Sequence, residues 1–318
     1  MIYPSKTNFK QLCHARLGIV CILFIAILDA YAQDKAPGAS PDLINISVTV
    51  LDHHERPVPS LKKEDFRIFE NNVEQAPTRL TGNDLPISVM VLINVGGSMP
   101  RLSISSSISA LESFVRKLND DDLIIVASYS HHIYPIIEPT KIKDLDGEIE
   151  IELRPWESET LVYDAVAFAQ KTINKIPGRR AIIVLGDGND AGVAASFKST
   201  LRMAEEEDAL IYTVQVRTFA YPPFDDPKKF AKNTARARQY MMALAEKTGG
   251  RHFMIDDITD LGATFASIAG ELRQQYTLGY YSNQPGKDGE RRKITVKVNV
   301  PNVAVRSRSE VVYKKSKH

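Results

Sequence analysis

The sequence predicts an α/β protein in which a mainly parallel, doubly wound sheet is inserted into a small flanking β-module. Three observations predict it. The stretch Ile87 to Ile93 (ISVMVLI) is apolar apart from Ser88 and rich in Val and Ile, as in a strand covered on both faces. It stops at Asn94-Val95-Gly96-Gly97-Ser98 and, behind Pro100, feeds a helical pattern of Leu102, Ile104, Ile108, Leu111, Phe114, Val115 and Leu118. From Pro86 to Gln275 strand and helix patterns alternate, which means a sheet wrapped by helices, whereas both ends of the chain show strands only.

The elements follow in order. Lys6, Lys10 and Arg16 precede the apolar run Leu17 to Leu28, which ends at Ala30-Tyr31-Ala32. A basic region, a short apolar run and an A-x-A site describe a secretory signal peptide over residues 1–32, cleaved before Gln33. The run is shorter than the roughly 20 residues of a membrane span, so no span is expected after cleavage. Residues 33–42 read as a polar linker. Ile44 to Leu51 alternates as a half-buried strand, Asp52 to Pro59 has turn chemistry, and Glu64 to Glu70 is a second strand with Phe66, Ile68 and Glu70 on one side. Residues 43–82 thus form an N-terminal flank.

Within the α/β region, residues 85–275, Leu123 to Tyr129 is a buried strand after the acidic turn Asn119 to Asp122, and a polar stretch runs to Glu159. A helix opens at Thr160 and continues to about Ile176. Ala181 to Leu185 is a buried strand ending in Gly186-Asp187-Gly188-Asn189-Asp190. Ser196 to Asp208 is helical, Leu210 to Val216 a strand, and Lys228 to Thr248 a basic-then-apolar helix stopped by Gly249-Gly250. Arg251 to Ile255 is a short strand and Asp260 to Gln275 the last helix. Residues 276–315 return to alternation, with strands at Tyr276 to Tyr281, Arg292 to Val300 and Val303 to Tyr313. Pairing these with the N-terminal flank gives each half-formed sheet a partner. His53-His54 and His131-His132 are adjacent pairs, which in extended chain point to opposite faces and cannot chelate one ion; they read as solvated turn residues.

Composition narrows the function classes. Both cysteines, Cys13 and Cys21, lie in the segment expected to be removed, which excludes disulfides, thiolate–zinc sites and Cys nucleophiles from the mature chain. A net charge of +1 with evenly mixed charges gives no reason to expect nucleic acid or an anionic membrane as partner. Disulfide-free stability requires a packed core, and about 286 residues after cleavage suffice.

In a parallel sheet the turns after Ile93 and Leu185 and the loop before Val162 lie at one carboxyl edge, where open α/β folds bind ligands. They present Asn94, Ser98, Thr160 and Asp187. The set N-V-G-G-S-M at Asn94 to Met99, T-L-V-Y-D-A-V at Thr160 to Val166 and V-L-G-D-G at Val184 to Gly188 resembles the von Willebrand factor type A (VWA) domain, whose sheet is Rossmann-like. The flanking stretches V-P-S-L-K-K-E-D-F-R-I-F-E, Y-T-L-G-Y-Y and R-K-I-T-V-K-V resemble the bacterial secreted "VWFA-related" proteins.

The resemblance implies a metal-ion-dependent adhesion site (MIDAS): a divalent ion, usually Mg2+, held by Asp-x-Ser-x-Ser, a Thr and a second Asp, with one vertex left for an acidic residue of a partner. Hard cations suit such oxygen ligands. Ser98, Thr160 and Asp187 match the motif. Asn94 stands where Asp is expected and Gly96 where the first Ser is expected, so one carboxylate and one hydroxyl are gone and the motif is degenerate. Glu157, Glu159 and Asp190 are the nearby acids that could compensate. The alternative is a relict site in which Ser98 and Thr160 only cap turns and helices. Asp187 to Gly192 fails as an EF-hand loop, because Ala191 and Lys198 occupy its fifth and twelfth positions.

Arg217 to Phe230 is a long loop at the same edge, stiffened by Pro222, Pro223 and Pro227 and carrying Phe219, Tyr221, Phe224 and Asp225. Exposed aromatics of this kind anchor interfaces, so the loop is a candidate partner-binding segment. No nucleophile–base–acid set is legible: VGGSM is not G-x-S-x-G, and no His falls at this edge, His252 beginning its strand at the other. The sequence therefore points to an exported, non-enzymatic protein-binding or adhesion-type protein. The alternative is a structural or assembly scaffold of the cell envelope.

Overall fold

A computed structural model describes residues 43–314 except 83–84, 98, 100, 153–156, 158, 218–225 and 285, together with the backbone alone of 101–103. The expected signal segment and linker, Ser98, and the aromatic loop residues Phe219, Tyr221, Phe224 and Asp225 lie outside the described residues.

The N-terminal flank folds as β1 (Leu43–Leu51), β2 (Phe66–Glu70), β3 (Val73–Gln75) and β4 (Pro77–Thr81). The α/β region follows as β5 (Ile87–Asn94), α1 (Arg101–Val115), β6 (Leu123–Tyr129), β7 (Ile133–Lys141), α2 (Val162–Ile173), β8 (Arg179–Gly186), α3 (Phe197–Glu206), β9 (Leu210–Val216), α4 (Pro227–Thr248), β10 (His252–Ile255) and α5 (Leu261–Arg273). The second flank is β11 (Tyr276–Tyr281), β12 (Arg291–Val298), β13 (Ala304–Ser307) and β14 (Glu310–Val312).

The central sheet has the order β10-β9-β8-β5-β6-β7, parallel throughout except for the antiparallel edge strand β7. Every residue of β5 is buried, and its side chains alternate between two cores because successive residues of a strand face opposite ways. Val89, Val91 and Ile93 join Leu111 and Phe114 of α1 and Phe265 and Ile268 of α5 on one face. Met90 and Leu92 join Val166 of α2, Ala204 of α3 and Tyr240 and Leu244 of α4 on the other. The chain leaves β5 for β6 on one side and returns to β8 on the other, which makes the β5/β8 boundary the switch point of the sheet.

Strand β7 falls within the stretch read from sequence as polar. Pro135 and Pro139 remove ladder donors, which an edge strand tolerates and which hides its period. The flanks differ from the expected small module in a second way. They form two four-stranded sheets, β13-β1-β11-β4 and β14-β12-β2-β3, each with strands from both ends of the chain, around one core of Ile46, Val48, Phe66, Ile68, Leu278, Tyr280, Ile294 and Val296. Strands β3 and β4 escaped the sequence pattern because they are short and polar; Asn71 and Asn72, both at positive φ (46° and 66°), turn the β2–β3 hairpin.

The expected single strand Val303 to Tyr313 is two strands in different sheets. At the break, the buried Arg308 donates to the carbonyls of Ala204 and Glu207 at the end of α3. Gly249 (φ 84°) closes α4 beside this segment, where an added Cβ would lie 2.7 Å from Arg308 N. A buried carboxylate completes the junction: Glu271 of α5, 1% exposed, is shared by Arg251 and by Arg306 of β13.

Candidate functional site

The site is the carboxyl edge around the switch point. Asn94 ends β5 and Asp187 follows β8; both are buried, as is Thr160 on the loop before α2. Gly186 lets these strands close on each other, since an added Cβ would lie 2.5 Å from the Tyr129 hydroxyl and 2.9 Å from Asn94 Cβ. The structure thus brings together three of the four sequence-selected residues.

Their hydrogen bonds decide what they can hold. Gly96 N–H donates to Asn94 Oδ1 at 2.9 Å, which fixes the amide orientation and turns the Nδ2 group to Asp187. That group donates to Asp187 Oδ1 at 3.3 Å. Asn189 donates to the same carboxylate twice, from its backbone N–H at 3.2 Å and from its Nδ2 at 2.8 Å. Thr160 Oγ1 donates to the Asn189 carbonyl at 2.8 Å, tying the two loops together. Gln215 at the end of β9 donates to the Asp187 carbonyl at 2.7 Å.

Such a donor set does not fit a divalent ion. A cation needs lone pairs converging on one point, and here an amide N–H group faces the carboxylate where the ion's charge would stand. Gly96 supplies no side-chain oxygen, its carbonyl accepts from Met99 N–H, and a Cβ there would lie 2.9 Å from Thr160 Cγ2. The possible compensating acids are occupied. Glu157 accepts from the Ser130 and Tyr134 hydroxyls and from His131 N–H. Glu159 pairs with His131. Asp190 accepts from Tyr163 N–H at the start of α2 and from Gly192 N–H, and burial raises its pKa. No group of three His, Cys, Asp or Glu able to hold a metal occurs among the described residues. The buried Tyr129 phenol stays protonated, its pKa pushed well up by burial and then by the Asp187 charge.

Two sequence expectations need correction. His131 and His132 lie in the β6–β7 turn at this carboxyl edge, because β7 folds back as a hairpin. In turns the adjacent imidazoles also come together, with ring centroids 5.0 Å apart for this pair and 3.8 Å for His53–His54. His131 is held by Glu159, and the fully buried Ser130 hydroxyl by Glu157, so neither pairs with the other as base and nucleophile. His252 starts β10 at the opposite edge, its Nδ1 2.9 Å from Thr213 Oγ1 and its pKa lowered by burial to about 4.

Beside Asp187 a cavity of about 300 Å3 opens, lined by Asn189, Gln215, Val216, Arg217, Phe230 and Arg238 among others. Sequence reading singled out neither Gln215 nor Arg238. The available signal was a lone amide in the buried strand LIYTVQV.

No protein-family model matches the chain, and no curated protein matches it. Solved structures do resemble it. A von Willebrand factor type A protein from Catenulispora acidiphila aligns at 11% identity over 88% of this chain and 76% of that one, with a TM-score of 0.46. The ArnB paralog VWA2 from Sulfolobus acidocaldarius aligns at 16% identity over 87% and 76%, also at 0.46. Proximal thread matrix protein 1 from the mussel byssus, solved with a zinc-occupied MIDAS motif, aligns at 10% identity over 64% and 49%, again at 0.46. These are likenesses of fold. The chain's own sheet order describes a mostly parallel, Rossmann-like sheet between helices, with additional strands at both flanks.

Proposed function

We propose that the protein is an exported, non-enzymatic binding module that docks another protein on the carboxyl edge of its central sheet without a bridging divalent ion. One observation carries the reading. The adhesion-site residues Asn94, Thr160 and Asp187 are closed into an amide–carboxylate network, while beside them lies a cavity lined by both apolar residues (Val216, Phe230, Met254) and polar ones (Asn189, Gln215, Arg238). Pockets of this composition recognise side chains. The nearly fully exposed Val193, on the loop after Asp187, adds an apolar tip to the same edge. Export is supported by the basic, apolar and A-x-A pattern of residues 1–32. Among the described residues no helix is long and apolar enough to cross a membrane.

The test has two parts. Calorimetric titration of the full chain with Mg2+ or Mn2+ gives no saturable heat at millimolar metal, and an Asp187→Ala control behaves the same. Selection of a displayed random 12-residue peptide library on the full chain yields binders equally in EDTA and in Mg2+, and Asn189→Arg or Val193→Arg abolishes their binding. Saturable metal binding lost in Asp187→Ala, or peptide binders indifferent to both edge substitutions, overturns the proposal.

A further inference from the structure

Helix α4 is unlike the other helices of the domain. Its second half is packed, with Ala237, Tyr240, Met241, Leu244 and Ala245 buried. Its first half is exposed on all sides from Pro227 to Arg236, only Phe230 being half-buried. This arm carries Lys228, Lys229, Lys232 and Arg236, with Arg238 just beyond, and no acidic residue before Glu246. Lys228, Lys229, Lys232 and Arg238 have no ion pair among the described residues. Arg236 lies by Tyr163 and Asp190 instead.

Phe230, Thr234, Arg238 and Met242 recur every fourth residue and so share one face of the helix. That face lines a shallow groove of about 600 Å3. The groove runs into the cavity beside Asp187, with Phe230, Thr234 and Arg238 common to both. In the wall of that cavity is Gln215, 3% exposed, whose Oε1 has no hydrogen-bond partner among the described residues although its Nε2 is satisfied. A buried acceptor left unmatched costs about 1–3 kcal/mol, and Gln215 is among the residues that line the cavity. Among the described residues, Arg217 pairs with Asp256, Asp226 caps the helix by accepting from Lys228 N–H, and Asp187 is held by Asn94 and Asn189.

From this juxtaposition we infer that the groove receives an acidic segment of another polypeptide. The inference rests on the edge-docking function proposed above and names the chemistry of the partner. Carboxylates of the segment meet Lys232 and Arg238, an apolar side chain enters over Phe230 and Met254, and a polypeptide N–H donates to Gln215 Oε1. Charge complementarity selects the occupant. A phosphate-rich ligand brings neither a donor for Gln215 nor an apolar side chain for Phe230 and Met254, and a flat bilayer does not reach into the cavity. Recognition by guanidinium and ammonium groups thus stands a short way along the edge from where a bridging ion would otherwise act.

The test uses the peptide selection above, with anionic vesicles of phosphatidylglycerol and phosphatidylcholine as a second probe. The expected pool is enriched in clustered Asp and Glu around an apolar residue. Its members lose tenfold or more in affinity on K232E/R238E, and again between 50 and 300 mM NaCl, while Q215L weakens them several-fold at unchanged salt slope. Both charge substitutions are on exposed positions, and circular dichroism checks the fold of every variant. A pool with no acidic bias, or one lost on Asn189→Arg but indifferent to K232E/R238E, overturns the inference and leaves edge docking standing. Binders that map away from the edge overturn both. Vesicle binding that depends on Lys232 and Arg238, without acidic peptide binding, also overturns it.

Discussion

Replacing Asn94 by Asp returns the residue that the adhesion motif calls for and should badly destabilise the metal-free protein. Asn94 Nδ2 lies 3.3 Å from Asp187 Oδ1, and Gly96 N–H holds the other end of the amide, so the new carboxylate oxygen takes the place of a donor. Two unit charges at that separation repel by about 5 kcal/mol at an effective dielectric of about 20. The lost hydrogen bond adds about 1 kcal/mol. The pair escapes by binding a proton, so the cost at a given pH cannot exceed about 1.4 kcal/mol per pH unit above the ordinary Asp pKa of about 3.9. The ceiling is near 5.5 kcal/mol at pH 8 and about 1.5 kcal/mol at pH 5. The sign follows from linkage: the folded pair has its protonation raised above the unfolded value, so the destabilisation is complete at high pH and fades as pH falls towards 4. Urea unfolding of wild type and N94D in EDTA, followed by circular dichroism at pH 8 and pH 5, measures both numbers. A variant within about 1 kcal/mol of wild type at pH 8, or a loss of equal size at both pH values, would refute the amide–carboxylate reading.

Three other outcomes follow from the same structure. Gly96→Ser, which supplies the missing hydroxyl, places its Cβ 2.9 Å from Thr160 Cγ2 and 3.2 Å from the Glu157 carbonyl; overpacking costs about 1–3 kcal/mol, read as a lower melting temperature. Arg308→Met strands the Ala204 and Glu207 carbonyls at the end of α3 and costs about 3 kcal/mol, a fall in Tm of about 6–9 °C by calorimetry; an unchanged Tm would mean that apolar packing replaces the guanidinium without loss. Burial holds the folded His252 pKa down to about 4 from 6.5, so stability is full above pH 6.5 and falls as pH drops towards 4. Because the ring is only partly buried, the loss is roughly 1–2 kcal/mol after solvent screening, and His252→Gln flattens that part of the stability–pH curve.

The parts of the fold that were legible are those where burial imposes a period. Ile87–Ile93, Leu123–Tyr129, Ala181–Leu185 and Leu210–Val216 read as continuous apolar runs because both faces of the sheet are covered. Strands β3, β4 and β7 carry no such signal: each is short, partly exposed or interrupted by Pro77, Pro135 or Pro139. At the site, the positions of Asn94, Thr160 and Asp187 were legible from motif order, and the loss of charge at Asn94 and of oxygen at Gly96 from residue identity. The replacement network was not, because the role of Asn189 depends on how the Thr160 loop lies across it. His131 was misplaced for a similar reason, since only the unseen hairpin β6–β7 brings it to the carboxyl edge. Arg308 and Glu271 (buried) and Arg306 (half-buried) are ordinary charges in sequence and find their partners only once the second flank folds against the α/β region.

The interleaving of the two flanks also determines how the molecule carries load. Strand β1 pairs with β11 and β13, and β2 with β12, so the point where the chain enters the α/β region and the point where it leaves are clamped in the same pair of sheets. The central sheet hangs from that clamp as a closed loop. Tension applied between the two flanks is borne first by the ladders of the clamp and reaches β5 to β10 only after those ladders part. Stress that runs along the chain from one flank to the other is thus held within the β-module, which acts as a mechanical fuse for the central sheet.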